Sequence, residues 1–211
     1  MARKSNTEAR RTQIVNALHS LLGERGYDGS SIQVIAHRAG LAPGLVHYHF
    51  ANKEEILLAV VEHLANQLDA RMRDLGAAPT PAAPPNRSAP SEAWRALDAW
   101  IDAHLALGAG ARLESVAAWV AIGAEALRKP AVRDAYEAAV SADLERGTLL
   151  VAAVLRAQSL PDSVARSHTV GLLAAIEGCY RLAAAAPNVT PTGFAAPTVR
   201  AMARGLLGGP A

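Results

Sequence analysis

The chain has 211 residues, of which 51% are hydrophobic and 4% aromatic, and its formal net charge is +2. This length and apolar content allow a substantial core, and they exclude a chain too polar to fold. No window approaches the roughly 18 consecutive apolar residues that span a bilayer, and the start "MARKSNTEARR" has no apolar stretch behind its charges, so we expect a cytoplasmic protein with no membrane partner.

Composition favours helices over strands. Alanine runs and leucines at helical spacing are frequent, whereas the aromatic residues that strands prefer are few. The single cysteine, Cys179, excludes an intrachain disulfide and a cysteine-rich zinc site. We therefore expect an all-α protein of about nine helices: an N-terminal three-helix domain and a larger helical domain.

The small overall charge conceals an asymmetry along the chain. Residues 1–53 contain seven Lys or Arg against three Asp or Glu, a net of +4, and the remaining residues carry a net of −2. A basic N-terminal segment suits an anionic partner such as DNA, although many solvated protein faces are equally basic.

The first two helices are predicted from their end signals. Ser5 and Glu8 have the spacing of a capping box, which predicts that the first helix begins there and continues to the glycine-containing stretch "GERGYDG". Ser30 or Ser31 can cap a short second helix, and Gly40 ends it.

A short third helix and a long fourth helix follow. Proline costs no hydrogen bond at the first position of a helix, so the third helix is predicted from Pro43 to about His49. Asn52 and Glu55 then give the fourth helix its cap, and apolar residues continue at helical spacing to Leu75. Two short helices joined by a tight glycine turn, between longer ones, are typical of a helix-turn-helix.

The next segment, from residue 76 to residue 90, reads "GAAPTPAAPPNRSAP" and is predicted to be a surface loop, because it is rich in proline and poor in large apolar residues. Helical signals resume at Ser91 and end near Leu207, with breaks at "GAGA", before Pro130, at "SLPD" and at "PNVTPTGFAAP". We expect a DNA-binding domain at 1–53 and an effector-binding and dimerisation domain at 54–211.

The stretch "LAPGLVHYHFANK" from Leu41 to Lys53 contains the most informative residues. His47 and His49 are two residues apart on a helix, so they point in directions roughly 200° apart and cannot chelate one metal ion. No nucleophile with a consistent partner can be placed near them, so we expect no catalytic residues, no metal and no cofactor. The stretch contains no Asp or Glu, as expected for a helix that enters a groove lined by phosphates.

Residues from about Thr12 to Leu64, including "SIQVIAHRAGLAPGLVHYHFANKEEIL", resemble the DNA-binding domain of the TetR family of transcriptional regulators. The later stretches "WVAIGAEALRKPAVRDAYEAAV" and "LLAAIEGCYRLAAA" are similar to the subgroup containing the betaine-pathway regulator. The resemblance implies a double-stranded DNA operator as the partner, contacted by Ser31, Gln33, Pro43, Gly44, His47, Tyr48, His49 and Lys53. This chain has Ala42 where many members have the capping Ser or Thr.

The larger domain is predicted to bind a small-molecule effector and a second copy of the chain. The aromatic or polar groups expected to line the effector pocket are Trp100, His104, Trp119, Tyr136 and Glu177. Slim and apolar positions on the last two helices predict a homodimer interface at Ala175, Gly178, Val199, Met202 and Leu206.

These features predict a repressor that binds a palindromic operator as a homodimer and is released by its effector. A constitutive DNA-binding regulator without an effector and a helical interaction module are the alternatives. The sequence does not predict an enzyme, because His104, His168 and Glu177 are isolated rather than part of a nucleophile-and-base set.

Overall fold

A computed structural model describes residues 2–77, 90–105 and 113–208, with the side chains of residues 2–5, 90 and 91 left aside. Within these ranges the chain forms nine α-helices and no strand, which confirms the predicted all-α fold. A short 3₁₀ turn, Asp162–Val164, precedes the eighth helix. The helices are α1 (Ala2–Arg25), α2 (Ile32–Ala39), α3 (Pro43–His49), α4 (Lys53–Asp74), α5 (Pro90–Leu105), α6 (Leu113–Ala126), α7 (Pro130–Ala157), α8 (Ala165–Ala185) and α9 (Ala195–Leu207).

The helices form two compact units, each built from two separate stretches of chain. The first unit comprises residues 1–66 and 112–139, and its core contains buried aliphatic side chains from α1, α2, α3, α4 and α6. Within it, α1 packs along α6, and a Cβ atom added at Gly23 of α1 would lie 3.3 Å from the Ala117 Cβ. The absence of a side chain at Gly23 therefore lets the two helices approach closely.

The second unit comprises residues 67–111 and 140–211. Helices α5, α8 and α9 pack against one another, and Trp100 is fully buried in the core. Two ion pairs connect α9 to α5: Arg200 with Asp102 and Arg204 with Asp98. The predicted division at residue 53 remains a prediction, because the compact units are defined by contacts and not by what each segment binds.

Most predicted helix ends agree with the structure, with three differences. The capping box at Ser5 and Glu8 is wrong as a helix start, because α1 begins at Ala2 and both residues lie inside it. The sixth helix ends at Ala126, three residues short of the predicted break between Lys129 and Pro130, and the ninth begins at Ala195, inside the predicted break "PNVTPTGFAAP".

The predicted loop is only partly described. Gly76, with φ of 78°, follows α4, and α5 begins at Pro90, but the segment 78–89 between them lies outside the described residues. The "GAGA" break also lies outside them. Among the helices that are described, none is long and apolar enough to cross a membrane.

Candidate nucleic-acid interface

The turn between α2 and α3 is fixed by local hydrogen bonds. At the start of α2, the Ser31 hydroxyl accepts a hydrogen bond from the Val34 amide at 3.3 Å. At its end, Gly40 adopts a left-handed conformation with φ of 64°, and the Leu41 amide donates to the Ala36 carbonyl at 2.9 Å. This is the glycine-dependent helix stop that the sequence predicts, and it sets the direction in which the chain enters α3.

Helix α3 has one buried side and one exposed side. Val46 is 0% exposed and Phe50, which directly follows the helix, is 2% exposed, so both residues anchor α3 in the core of the first unit. Pro43, Gly44 and His47 are exposed, as is Tyr48, with an exposed fraction of 76%. An aromatic side chain so exposed on a short, anchored helix is available to contact a partner.

The remaining predicted DNA contacts differ in how exposed they are. Ser31 and Gln33 of α2 are exposed. His49 is half-buried, and its ring meets the Tyr48 ring edge-on with centroids 5.1 Å apart. No acidic residue occurs between Asp28 and Glu54, so the acid-free stretch extends over both short helices.

Lys53, predicted to contact a phosphate, has two partners within the chain. Its ammonium donates a hydrogen bond to the Tyr27 carbonyl at 2.9 Å and lies 3.8 Å from the centre of the Tyr27 ring. Burial lowers the pKa of Lys53. The side chain thus ties the start of α4 to the turn between α1 and α2, and contact with a phosphate remains a prediction for it.

Two residues of α1 hold the helix-turn-helix and were not predicted. Arg11 donates a hydrogen bond to the His49 carbonyl, and its guanidinium lies 4.0 Å from the centre of the Phe50 ring. Gln13 donates a hydrogen bond to the Ala39 carbonyl. The sequence offers no signal for these contacts, because every residue has a carbonyl group and the partners are 38 and 26 positions apart.

Of the predicted effector residues, Trp100 and His104 lie together in the second unit. The Trp100 indole donates to one oxygen of Asp143 at 2.8 Å, and His104 Nε2 lies 3.0 Å from the other. His104 Nδ1 is 2.8 Å from the Tyr180 hydroxyl. Burial raises the pKa of Asp143, but the neighbouring His104 and Trp100 outweigh it, so the pKa is lowered overall and the carboxylate is ionised. We call Trp100, His104, Asp143 and Tyr180 the polar cluster.

The other predicted effector residues lie elsewhere or at the edge of this cluster. Glu177 is half-buried on α8, and burial together with the Glu177 charge raises the pKa of Tyr180 well above its usual value. Trp119 and Tyr136 belong to the first unit, where their rings stack with centroids 4.7 Å apart. Asp143 and Tyr180 were missed, since neither forms a recognisable motif.

The predicted dimer residues are not equally accessible. Gly178, Met202 and Leu206 are exposed, and Ala175 is half-buried. Val199 is fully buried in the core of the second unit, so it cannot contact a second chain. The sequence shows that α9 has an apolar face, but it does not separate the residues that face the chain's own core from those left exposed.

The comparisons with known proteins agree with this geometry. A profile described as "Bacterial regulatory proteins, tetR family" matches residues 14–60, which run from α1 into α4. The HTH-type transcriptional regulator BetI of Rhizobium meliloti is 33% identical over 172 residues, a match that covers 81% of this chain and 76% of that protein. The chain belongs to the TetR family.

Other TetR-family relatives match over a shorter stretch. BetI of Brucella canis is 38% identical over 69 residues, which is 33% of this chain and 33% of that protein. The chain therefore aligns with about a third of the length of that relative.

Solved structures show the same fold over nearly the whole chain. A TetR-family regulator from Rhodococcus sp. covers 94% of this chain and 98% of its own, with a TM-score of 0.75 and 18% identity. A transcriptional regulator from Saccharomonospora viridis, solved in complex with choline, covers 95% of this chain and 96% of its own, with a TM-score of 0.70 and 21% identity. At these identities the likeness establishes the fold alone.

Proposed function

We propose that this TetR-family regulator is a cytoplasmic repressor that binds a palindromic operator as a homodimer and is released by a small-molecule effector. The outward side of α3 carries the proposal: Tyr48 is 76% exposed, it is flanked by two histidines, and acidic residues are absent from the surrounding stretch. Such a surface suits the major groove, where tyrosine and histidine side chains reach base edges and no carboxylate faces a phosphate.

Exposed apolar side chains on α8 and α9 support the proposed homodimer. Apolar side chains on these helices remain substantially exposed, namely Val170, Leu182, Met202 and Leu206. A Cβ atom added at Gly171 or Gly178 would meet nothing within 4 Å, so α8 also offers slim positions to a neighbour. A second copy packed on this surface would bury these residues, and the resulting dimer would carry two copies of α3 for two half-sites.

The polar cluster supports a small organic cation as the effector. An ionised carboxylate beside tryptophan and tyrosine rings is the chemistry that recognises quaternary ammonium groups. The Saccharomonospora regulator, solved with choline, supports the same class of ligand. Such a ligand releases DNA only if it binds more tightly to the conformation that cannot bind DNA.

Duplexes selected by the wild-type protein from a random pool test the DNA-binding proposal. We expect the selected sequences to contain inverted repeats, and we expect affinity to fall steeply as salt rises. The apparent dissociation constant is then measured for a selected and a scrambled duplex of equal length. Selection that enriches no common sequence contradicts operator binding.

Choline chloride, titrated against sodium chloride at equal ionic strength, tests the effector class. We expect choline to raise the melting temperature and to release the selected duplex, because one linkage governs both effects. Asp143→Asn should abolish the response, whereas Asp162→Asn, which removes only an exposed partner of Arg156, should retain it. A protein that binds its duplex identically at all choline concentrations supports the constitutive alternative or a different effector.

A further inference from the structure

Arg11 connects the exposed face of α1 to the end of the helix that carries Tyr48. One of its terminal nitrogens donates to the carbonyl of His49, the last residue of α3. The same guanidinium lies over the ring of Phe50, 4.0 Å from its centre, although Phe50 itself is almost completely buried. One side chain therefore contacts both the backbone and the aromatic anchor at this end of α3.

Helix α3 has few interactions of its own to fix its direction. It contains seven residues, and Ala42 at its N-cap makes no side-chain hydrogen bond to it. A helix this short is marginal without tertiary contacts. Its last carbonyls lack partners within the helix, and a cation is favourable at that end. Arg11 supplies both a donor and a positive charge there.

A second α1 side chain does the same for α2. Gln13 donates to the carbonyl of Ala39, the last residue of α2, and Arg10 donates to the Gln13 side-chain oxygen at 2.9 Å. Two side chains of α1 thus hold the carbonyl ends of both short helices. Arg11 acts on the one that presents Tyr48.

We propose that Arg11 is a positioning residue for sequence recognition: it fixes the end of α3 through the His49 carbonyl and the Phe50 ring, and it does not contact DNA phosphate. The inference rests on the proposed DNA-binding function. It goes beyond that function because it assigns base discrimination in part to a residue outside the helix-turn-helix.

The test separates geometry from charge. Dissociation constants for a duplex selected by the wild-type protein and for a scrambled duplex are measured at four salt concentrations, with Arg11→Met, Arg11→Lys and the control Arg25→Met. Arg25 is an exposed arginine in the last turn of the same helix. Circular dichroism at the assay temperature gives the folded fraction, by which each dissociation constant is corrected.

We expect Arg11→Met to reduce the ratio of scrambled to selected dissociation constants at least tenfold, with an unchanged salt slope. Arg11→Lys should also reduce the ratio, because an ammonium lacks the planar fork that lies on Phe50 while donating to His49. Arg25→Met should retain the wild-type ratio.

Two results would overturn the positioning role of Arg11 and leave the proposed DNA-binding function intact. If Arg11→Met keeps the wild-type ratio and flattens the salt slope by about one for both duplexes, Arg11 is a phosphate contact. If both ratio and slope are unchanged, it has no role in recognition. A wild-type protein that discriminates between no duplexes overturns the proposed function, and the positioning role with it.

Discussion

Lys53 and Tyr27 are joined twice, by a 2.9 Å hydrogen bond from the ammonium to the carbonyl and by a 3.8 Å contact between the ammonium and the ring. Their positions on the chain are 26 residues apart, at the start of α4 and in the turn after α1. The pair holds the start of α4 against the turn between α1 and α2 within the first unit.

Replacing Lys53 by methionine should lower the free energy of unfolding by about 1–2 kcal/mol, since a charge-assisted hydrogen bond and a cation–π contact are lost while the aliphatic stem is kept. Urea denaturation measures the change. Arg73→Met, at an exposed position near the end of α4, is the control and should change stability by less than about 0.5 kcal/mol. The same variant tests the predicted phosphate contact: a salt slope that flattens by about one supports it, whereas an unchanged slope means that the ammonium stays on Tyr27.

Tyr27 should make the protein sensitive to alkaline pH. Burial, with the nearby Glu54, Glu125 and Asp28 carboxylates, raises the pKa of Tyr27 from 10.0 to about 12. The folded state therefore holds this proton more tightly than the unfolded state, so the contribution of Tyr27 to stability is present below pH 10 and is lost as the pH rises from 10 to 12.

The variant Tyr27→Phe should reduce the slope of unfolding free energy against pH between pH 10 and 12. Absorbance of the ionised phenol should also show one fewer late-titrating tyrosine. Tyr48→Phe removes an exposed hydroxyl and is the matched control. Equal pH slopes for wild-type protein and Tyr27→Phe would contradict the assignment.

Tyr48→Ala should weaken binding to a selected duplex by about 10- to 100-fold, corresponding to roughly 1–3 kcal/mol for a lost base contact. The melting temperature should stay within about 2 °C of the wild-type value, because the side chain is 76% exposed. Leu127→Ala removes a side chain of similar exposure, 78%, from the same unit and should leave binding unchanged. Unaltered affinity in Tyr48→Ala would remove this residue from the interface.

If the proposed dimer forms through α8 and α9, Gly178→Arg should yield a monomer without unfolding the chain. A Cβ atom at this exposed position meets nothing within 4 Å, so the backbone has room for a side chain there, whereas a second chain packed on this face would meet the added charge. Light scattering gives the molecular mass. Operator affinity should be lower in the monomeric variant than in the wild-type protein. Arg181→Ala, three residues further on α8 and also exposed, controls for altered surface charge. A dimeric Gly178→Arg protein would place the interface elsewhere.

Gly147→Ala should destabilise the fold, because this glycine, unlike Gly178, is enclosed by other side chains. An added Cβ atom would lie 2.6 Å from Thr169 Cγ2 and 3.0 Å from Trp100 Cζ2. Overpacking of this kind costs about 1–3 kcal/mol. Thermal unfolding should therefore show a lower melting temperature, while Gly171→Ala, at an open position of α8, should leave it equal or higher. A melting temperature for Gly147→Ala at or above the wild-type value would contradict this packing.

Features encoded within a few residues were predictable from the sequence. The Ser31 cap, the Gly40 stop, Pro43 at the start of α3 and the bond from the Glu55 amide to Asn52 are all present. Each depends on residues within about one helical turn of each other, so their separation along the chain determines whether they meet in the structure. The exception at Ser5 arose because the residues "ARK" directly before it also form helix, so a capping pattern alone could not fix where α1 begins.

Contacts between distant positions were not predictable in the same way. Arg11, Gln13 and Lys53 each donate to a backbone carbonyl, and carbonyls carry no residue-specific signal. The predicted effector pocket grouped aromatic residues by their chemical type. The structure places Trp119 with Tyr136 in one unit and Trp100 in the other. An apolar stripe indicates that one face of a helix is buried, but the tertiary fold decides which elements bury it.

Because α1 packs closely on α6, the first 66 residues of this regulator do not form a complete packing unit by themselves. The partner of α1 is synthesised about 90 residues after it, with residues 67–111 in between belonging to the other unit. During translation, the DNA-binding helices therefore emerge with one apolar face uncovered, and they acquire their native support only after α6 has left the ribosome. A fragment ending at Asn66 would keep that face exposed, so transplanting the first 66 residues onto another protein would transfer an aggregation hazard together with the recognition helix.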